Sequence, residues 1–173
     1  LRTAETVCLI PENSELINQT SMTTDNEGNP YIASYWRTKD SEVPQYHVVY
    51  YDGKQWNDLN LNFRTTPFSL KGHGTKRIPI SRPQIVAKSK SGKVSLQLLF
   101  RDDERKEKVS MATFKDAKTN KWQIKNQTGF SVGAWEPSYD TELWKKKQEM
   151  HLFVQKLVQL NGDGKADVQP QLV

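Results

Sequence analysis

The stretch "SRPQIVAKSKSGKVSLQLLFRDDER", residues 81–105, decides the fold because a polar Lys-Ser-Gly segment separates two apolar runs. The runs "QIVAKS" and "VSLQLLF" are typical of short strands, and the glycine between them suits a tight turn. These residues therefore predict a β-hairpin. It begins near Arg82 and ends near Arg101, although arginine is a poor strand and core residue.

The same strand–turn–strand pattern occurs three times at nearly equal length. The other copies are "QTSMTTDNEGNPYIASYWR" at 19–37 and "EPSYDTELWKKKQEMHLFVQ" at 136–155. After the first two copies a second hairpin follows, ending on Trp56 or Trp122. Four-stranded antiparallel units in tandem are the blades of a β-propeller.

The predicted fold class is all-β, with about three β-propeller blades in one partial propeller domain over residues 1–173. The approximate units are 18–62, 81–127 and 135–173. Three units do not close a ring, and the chain starts at Leu1, so a piece of a longer propeller is expected. A β-sandwich is the alternative, but it does not explain matched polar residues at strand ends. Only residues 138–153 hint at a helix, and Trp144–Lys147 reads equally well as a polar turn.

Composition narrows the classes of partner. The net charge is +5, from 25 basic and 20 acidic residues, which allows an anionic ligand but lacks the basic stripe of a nucleic-acid binder. No apolar run reaches the ~18 residues of a membrane span, so no membrane insertion is expected. Cys8 is the sole cysteine and is expected to be a buried structural thiol. No metal site and no cofactor are predicted.

Polar residues stand where the first strand of each unit is about to begin. They are Gln19, Arg82 and Glu136, and the latter two each precede a proline that suits a strand edge. In a propeller these positions open on one mouth of the central channel. Because arginine binds carboxylates bidentately, the three are predicted to bind substrate. The alternative is that Arg82 pairs with Glu136 and joins two blades.

Arg37 and Arg101 close the second strands of the first two units and are also predicted to bind substrate. Each follows an aromatic residue, and Tyr35 is a candidate catalytic residue near the same rim. The alternative for Arg101, and more so for residues 102–105, is a charged loop in solvent.

Two histidines are candidates by residue type. His47 and the adjacent Tyr46 form a candidate acid/base pair, since histidine titrates near neutral pH. His73 lies in the Gly-rich loop "KGHGTK" and is a candidate substrate-binding residue. An ordinary strand-end histidine is the alternative for His47. The segment "NGDGKAD" lacks a full calcium-ligand set and predicts a turn.

Several long strings resemble one family. They include "PQYHVVYYDGKQW", "GTKRIPISRPQIV" and "SVGAWEPSYDTELW". The chain resembles the BNR-repeat propeller proteins of Bacteroidetes from about Glu12 onward. The resemblance implies a seven-bladed β-propeller, a periplasmic or extracellular location, and remaining blades that pack against this chain. It also implies a relation to ulvan lyases and to a rhamnosidase that cleaves rhamnose from glucuronic acid.

Only "DGKQW" remains of a sialidase Asp box, so sialidase activity is not expected. The family's catalytic residues do not map onto this chain one by one. The expected function is a carbohydrate-active propeller, a polysaccharide lyase or glycoside hydrolase, whose partner is a uronic-acid-containing polysaccharide or oligosaccharide. The alternative is a propeller that binds such glycans without catalysis.

Overall fold

Two four-stranded antiparallel sheets make up most of the chain in a computed structural model, which describes residues 4–16, 20–90, 92–114, 121–165 and 167. The first sheet contains β1 (Ser21–Thr24), β2 (Pro30–Trp36), β3 (Gln45–Tyr51) and β4 (Trp56–Asn60), in that spatial order. The second contains β5 (Gln84–Lys90), β6 (Lys93–Arg101), β7 (Val109–Phe114) and β8 (Trp122–Asn126). The all-β class is confirmed, and both sheets have the build of propeller blades.

Aspartates fix the turns of the first sheet. The Asp25 carboxylate accepts the backbone N–H groups of Glu27 at 2.9 Å and Asn29 at 3.0 Å, between β1 and β2. Asp52 accepts those of Lys54 and Gln55, both at 2.9 Å, between β3 and β4. These local bonds explain why the turn signals of the sequence marked the strand ends correctly.

The third unit differs from the first two. It contains β9 (Ser138–Tyr139), α1 (Thr141–Lys147) and β10 (Leu152–Phe153), and β9 pairs with β10. Asp140 caps α1 by accepting the Leu143 N–H at 2.9 Å, and lysines at 145–147 face the negative end of the helix dipole. The polar-turn reading of Trp144–Lys147 was therefore wrong. Within the described residues, no helix has the length and apolar character required to cross a membrane.

Apolar side chains pack in two layers. The larger core lies between the facing sides of the two sheets, where alternate residues such as Tyr35, Val48, Leu98 and Phe100 are almost fully buried. A smaller core, which includes Leu99, Val109 and Val132, joins the other side of the second sheet to the third unit. Each unit thus packs against the next through sheet faces. The assignment of all 173 residues to one partial propeller domain stays a prediction.

Candidate functional site

A cleft of about 450 Å³ opens where β5 and β9 begin. Its walls come from Arg82 and the segment after it, from residues 134–138, and from Thr20 and Leu157. The structure therefore brings the starts of the second and third units together, as their matched sequence positions suggested. Gln19 lies outside the described residues, although its neighbour Thr20 lines the cleft.

Arg82 and Glu136 form an ion pair on the wall of this cleft. The Nε and Nη2 atoms of Arg82 both contact the Oε2 atom of Glu136, and the Arg82 backbone N–H donates to Oε1 at 3.4 Å. The two side chains are 36% and 31% exposed, so solvent still reaches them. The alternative that these residues pair with each other is thus what the structure shows. The pair is neutral overall and still presents donors and acceptors to a ligand hydroxyl.

Trp135 adds an aromatic wall beside the ion pair. Its indole N–H donates to the Phe153 carbonyl oxygen at 3.2 Å, which fixes the ring against β10. The ring is half-buried and packs in part against the smaller core. An aromatic side chain that remains partly exposed next to polar groups suits a sugar ring, which has an apolar C–H face and a hydroxyl rim. Trp135 was not among the predicted site residues, although it directly precedes the matched Glu136 in "GAWEP".

Arg101 is buried behind the cleft, with 2% exposure. Its Nη1 donates to the Ile78 and Pro79 carbonyl oxygens, both at 3.0 Å, and its Nε donates to the Trp135 oxygen at 3.3 Å. Burial lowers the pKa of this guanidinium. Arg101 therefore ties the segment that leads to Arg82 to the wall that carries Trp135. It is neither a solvated charge nor a group that reaches the cleft, since it is not among the residues that line it.

The loop after Arg101, residues 102–105, is only partly solvated: Asp103 is exposed, whereas the other charged residues of the loop are buried or half-buried. Asp102 is fully buried, and the buried Arg64 approaches it at 3.8 Å while donating to Asp103 at 2.8 Å. Arg105 completes the network by pairing with Asp102. Burial raises the pKa of Asp102, although the two arginines oppose this effect. Arg64 follows the first sheet, so the network joins the two sheets. No local pattern predicts this contact, because its partners are about 40 residues apart in the chain.

Tyr46 is fully buried between the sheets. Its hydroxyl donates to the carbonyl oxygens of Ser81 at 2.9 Å and Arg101 at 3.2 Å. Burial raises its pKa, and the negative charge of Asp102 adds to the effect. In this position the hydroxyl joins β3 to the segments that flank β5 and β6, and it does not face the cleft.

His47 points to the opposite face of the first sheet, because adjacent strand residues alternate. Its ring stacks on Trp36 at a centroid distance of 3.7 Å, and Nδ1 lies 2.8 Å from the Asp58 carboxylate. Within the described residues its buried Nε2 has no hydrogen-bond partner. Tyr46 and His47 are therefore not brought together as an acid/base pair.

Tyr35, the third candidate catalytic residue, does not line the cleft. It is 1% exposed and packs edge-on against Tyr46. Burial raises its pKa, the charge of Glu136 raises it further, and the charges of Arg82 and Arg101 oppose the rise. A tyrosinate base is disfavoured by this setting, whereas a neutral hydroxyl is compatible with it.

Arg37 and Arg101 are not structurally equivalent. Tyr35 and Phe100 hold matching positions in the core between the sheets, so Arg101 corresponds to Trp36 and Arg37 lies one residue further along. Arg37 donates to the Asn13 carbonyl oxygen at 2.9 Å and sits 3.6 Å from Glu42. It therefore holds local loops and does not line the cleft.

His73 is exposed and lines a separate cavity of about 340 Å³. The cavity is bounded by the loop that precedes β5 and by Asn161 and Gly162. Cys8 is half-buried rather than buried, and burial raises the pKa of its thiol. The prediction of a turn over "NGDGKAD" agrees with the bend at residues 161–163.

Residues 1–64 of the chain are similar to a BNR repeat-containing family member. No curated protein matches the chain. The matched segment contains the whole first sheet. The match supports placing this chain in a BNR-repeat family, a relation that suggests a carbohydrate-related β-propeller.

Proposed function

We propose that this chain is part of a carbohydrate-binding β-propeller, with the cleft of Arg82, Trp135 and Glu136 as its saccharide site. The observation that carries the proposal is the meeting of an aromatic ring and a half-exposed ion pair in one cleft. Trp135 would pack against the apolar face of a sugar ring. The ion pair would exchange hydrogen bonds with adjacent hydroxyls, as pockets with a few convergent polar groups do.

We propose a uronic-acid-containing glycan as the ligand. The net charge of +5 favours an anionic partner, and the sequence strings resemble propellers related to enzymes that act on such glycans. The same resemblance supports a seven-bladed propeller completed by further blades, and a periplasmic or extracellular location.

Binding without catalysis fits the geometry better than catalysis by Tyr46 and His47, because neither side chain faces the cleft. A lyase or hydrolase is the second candidate, and the observation that favours it is the resemblance of strings such as "GTKRIPISRPQIV" to propellers related to such enzymes. A lyase must neutralise a uronate carboxylate, remove the C5 proton and protonate the leaving oxygen. By residue type Arg82 would suit the first task, but Glu136 already pairs with it, and Tyr35 is 1% exposed and does not line the cleft.

The test is calorimetric titration of the protein with a rhamnose–glucuronate oligosaccharide. We expect Trp135→Ala to weaken binding roughly 30-fold, since truncating an aromatic anchor costs about 2 kcal/mol or more. Arg82→Ala should also weaken it, whereas the control Arg37→Ala should bind like the wild type. Equal affinity of Trp135→Ala and wild type would refute the site.

Product analysis in the same samples separates the two functions. An ultraviolet-absorbing unsaturated uronate would establish a lyase, and free rhamnose would establish a hydrolase. Binding with neither product supports the non-catalytic proposal.

A further inference from the structure

The cavity that contains His73 has well-fixed walls. The Gly162 N–H donates to the Thr75 carbonyl oxygen at 2.8 Å, and the Arg77 N–H donates to the Asn161 side chain at 2.9 Å. The Thr75 hydroxyl donates to Asp163 at 3.1 Å. Three bonds thus hold the 73–77 loop against the 161–163 bend, and the space of about 340 Å³ between them is a formed cavity.

Charges in this cavity are unequally compensated. Arg77 pairs with Glu107, so its guanidinium is already neutralised. Lys76 and His73 also line the cavity, and neither has a carboxylate within 4.0 Å in the part of the chain that the structure describes. The Asp163 carboxylate is held at the edge through Thr75. Among the described residues, the cavity therefore offers one ammonium and one imidazole without a carboxylate partner.

The backbone adds donors. Gly72 and Gly74 have φ values of 101° and 79°, and such glycine turns expose successive N–H groups. Among the described residues, the N–H groups of residues 72–76 have no hydrogen-bond acceptor. Of these residues, His73, Thr75 and Lys76 line the cavity. Free N–H groups beside a lysine are suited to an oxyanion.

The cavity and the saccharide cleft are bordered by the same two segments. Arg77 and Pro79 line the cavity, and residues 82–84 line the cleft. On the other side, Asn161 lines the cavity and Leu157 lines the cleft. Arg101 fixes the intervening backbone through the Ile78 and Pro79 carbonyl oxygens. Pro79 lines the cavity and Arg82 lines the cleft. Because they are three residues apart in the chain, their Cα atoms lie at most about 11 Å apart, a distance that one oligosaccharide can span.

We propose that the His73–Lys76 cavity binds the carboxylate of the uronate unit while a neutral sugar of the same glycan occupies the cleft, an inference that rests on the proposed function. Arg82 is neutralised by Glu136, so the cleft is suited to hydroxyls. Lys76 keeps its charge free for the acid group. The two sites together would select a glycan in which neutral and acidic sugars alternate.

The experiment compares a rhamnose–glucuronate oligosaccharide with its carboxyl-reduced form, in which each uronate is a neutral sugar. We expect the wild type to prefer the acidic form about ten-fold, the size of one charge-assisted hydrogen bond. Lys76→Met should lose this preference and keep its affinity for the reduced form, and His73→Gln should reduce it. Lys54→Met, a lysine in the β3–β4 turn, should behave like the wild type.

The results distinguish the carboxylate site at His73 and Lys76 from the proposed saccharide cleft. Binding of both oligosaccharides with a preference that Lys76→Met leaves intact would overturn the carboxylate site while the saccharide cleft stands. Equal affinity of the wild type for the two oligosaccharides would also overturn the carboxylate site and leave the saccharide cleft in place. Binding of neither form would refute the proposed function itself.

Discussion

Replacing Tyr46 by phenylalanine separates a structural role from a catalytic one. The substitution keeps the buried ring and removes only the hydroxyl, which donates to two carbonyl oxygens at 2.9 and 3.2 Å. The Arg101 oxygen still accepts the Ser81 N–H at 2.8 Å, so the Ser81 oxygen is the group that loses its partner. A buried polar group left unpaired costs about 1–3 kcal/mol.

We therefore expect Tyr46→Phe to lower the free energy of unfolding by about 2 kcal/mol, and the melting temperature by about 4–8 °C. Denaturant unfolding followed by circular dichroism measures the change. The control is Tyr50→Phe, because within the described residues the Tyr50 hydroxyl has no hydrogen bond; its ring stacks on Tyr31. Unchanged stability of Tyr46→Phe, together with loss of any activity towards the glycan, would refute the reasoning.

Further predictions concern the buried charges. Arg64→Met should lower the unfolding free energy by about 3–5 kcal/mol, because it leaves Asp102 with Arg105 alone in a buried site; a loss below about 1 kcal/mol would contradict this. Glu104 has a lowered pKa, because the N–H groups of Thr65 and Thr66 outweigh the effect of burial. The stability that the Glu104 carboxylate contributes is present above its ordinary pKa of 4.5. It is lost as the pH falls through the lowered pKa that Glu104 has in the folded protein. Glu104→Gln should reduce the loss of unfolding free energy as the pH falls through this range, measured by denaturant unfolding. An unchanged pH dependence would show that other carboxylates govern the loss.

Local patterns in the sequence were sufficient for the two four-stranded sheets. Alternating apolar residues marked the strands, and Asp25 and Asp52 fixed the turns between them. The third unit was harder, because residues 141–147 carry both turn and helix signals. The N-cap from Asp140 and the burial of Trp144 stabilise the helix over the turn.

The candidate site was predictable where it follows from the repeat. Arg82 and Glu136 were found as matched positions, and the structure places them together. Trp135 and the burial of Arg101 were missed, because they depend on contacts between segments far apart in the chain. Tyr46 and His47 were grouped by residue type, but strand alternation sends them to opposite faces of the sheet.

Two-dimensional NMR of the Trp135 indole N–H, titrated with a rhamnose–glucuronate oligosaccharide, tests the central claim most directly. Trp135→Phe identifies its signal. The proposal predicts a saturable shift of this signal, while that of Trp36, which stacks on His47 away from the cleft, stays in place. An unmoved Trp135 signal at saturating oligosaccharide, or equal shifts of both indoles, would contradict it.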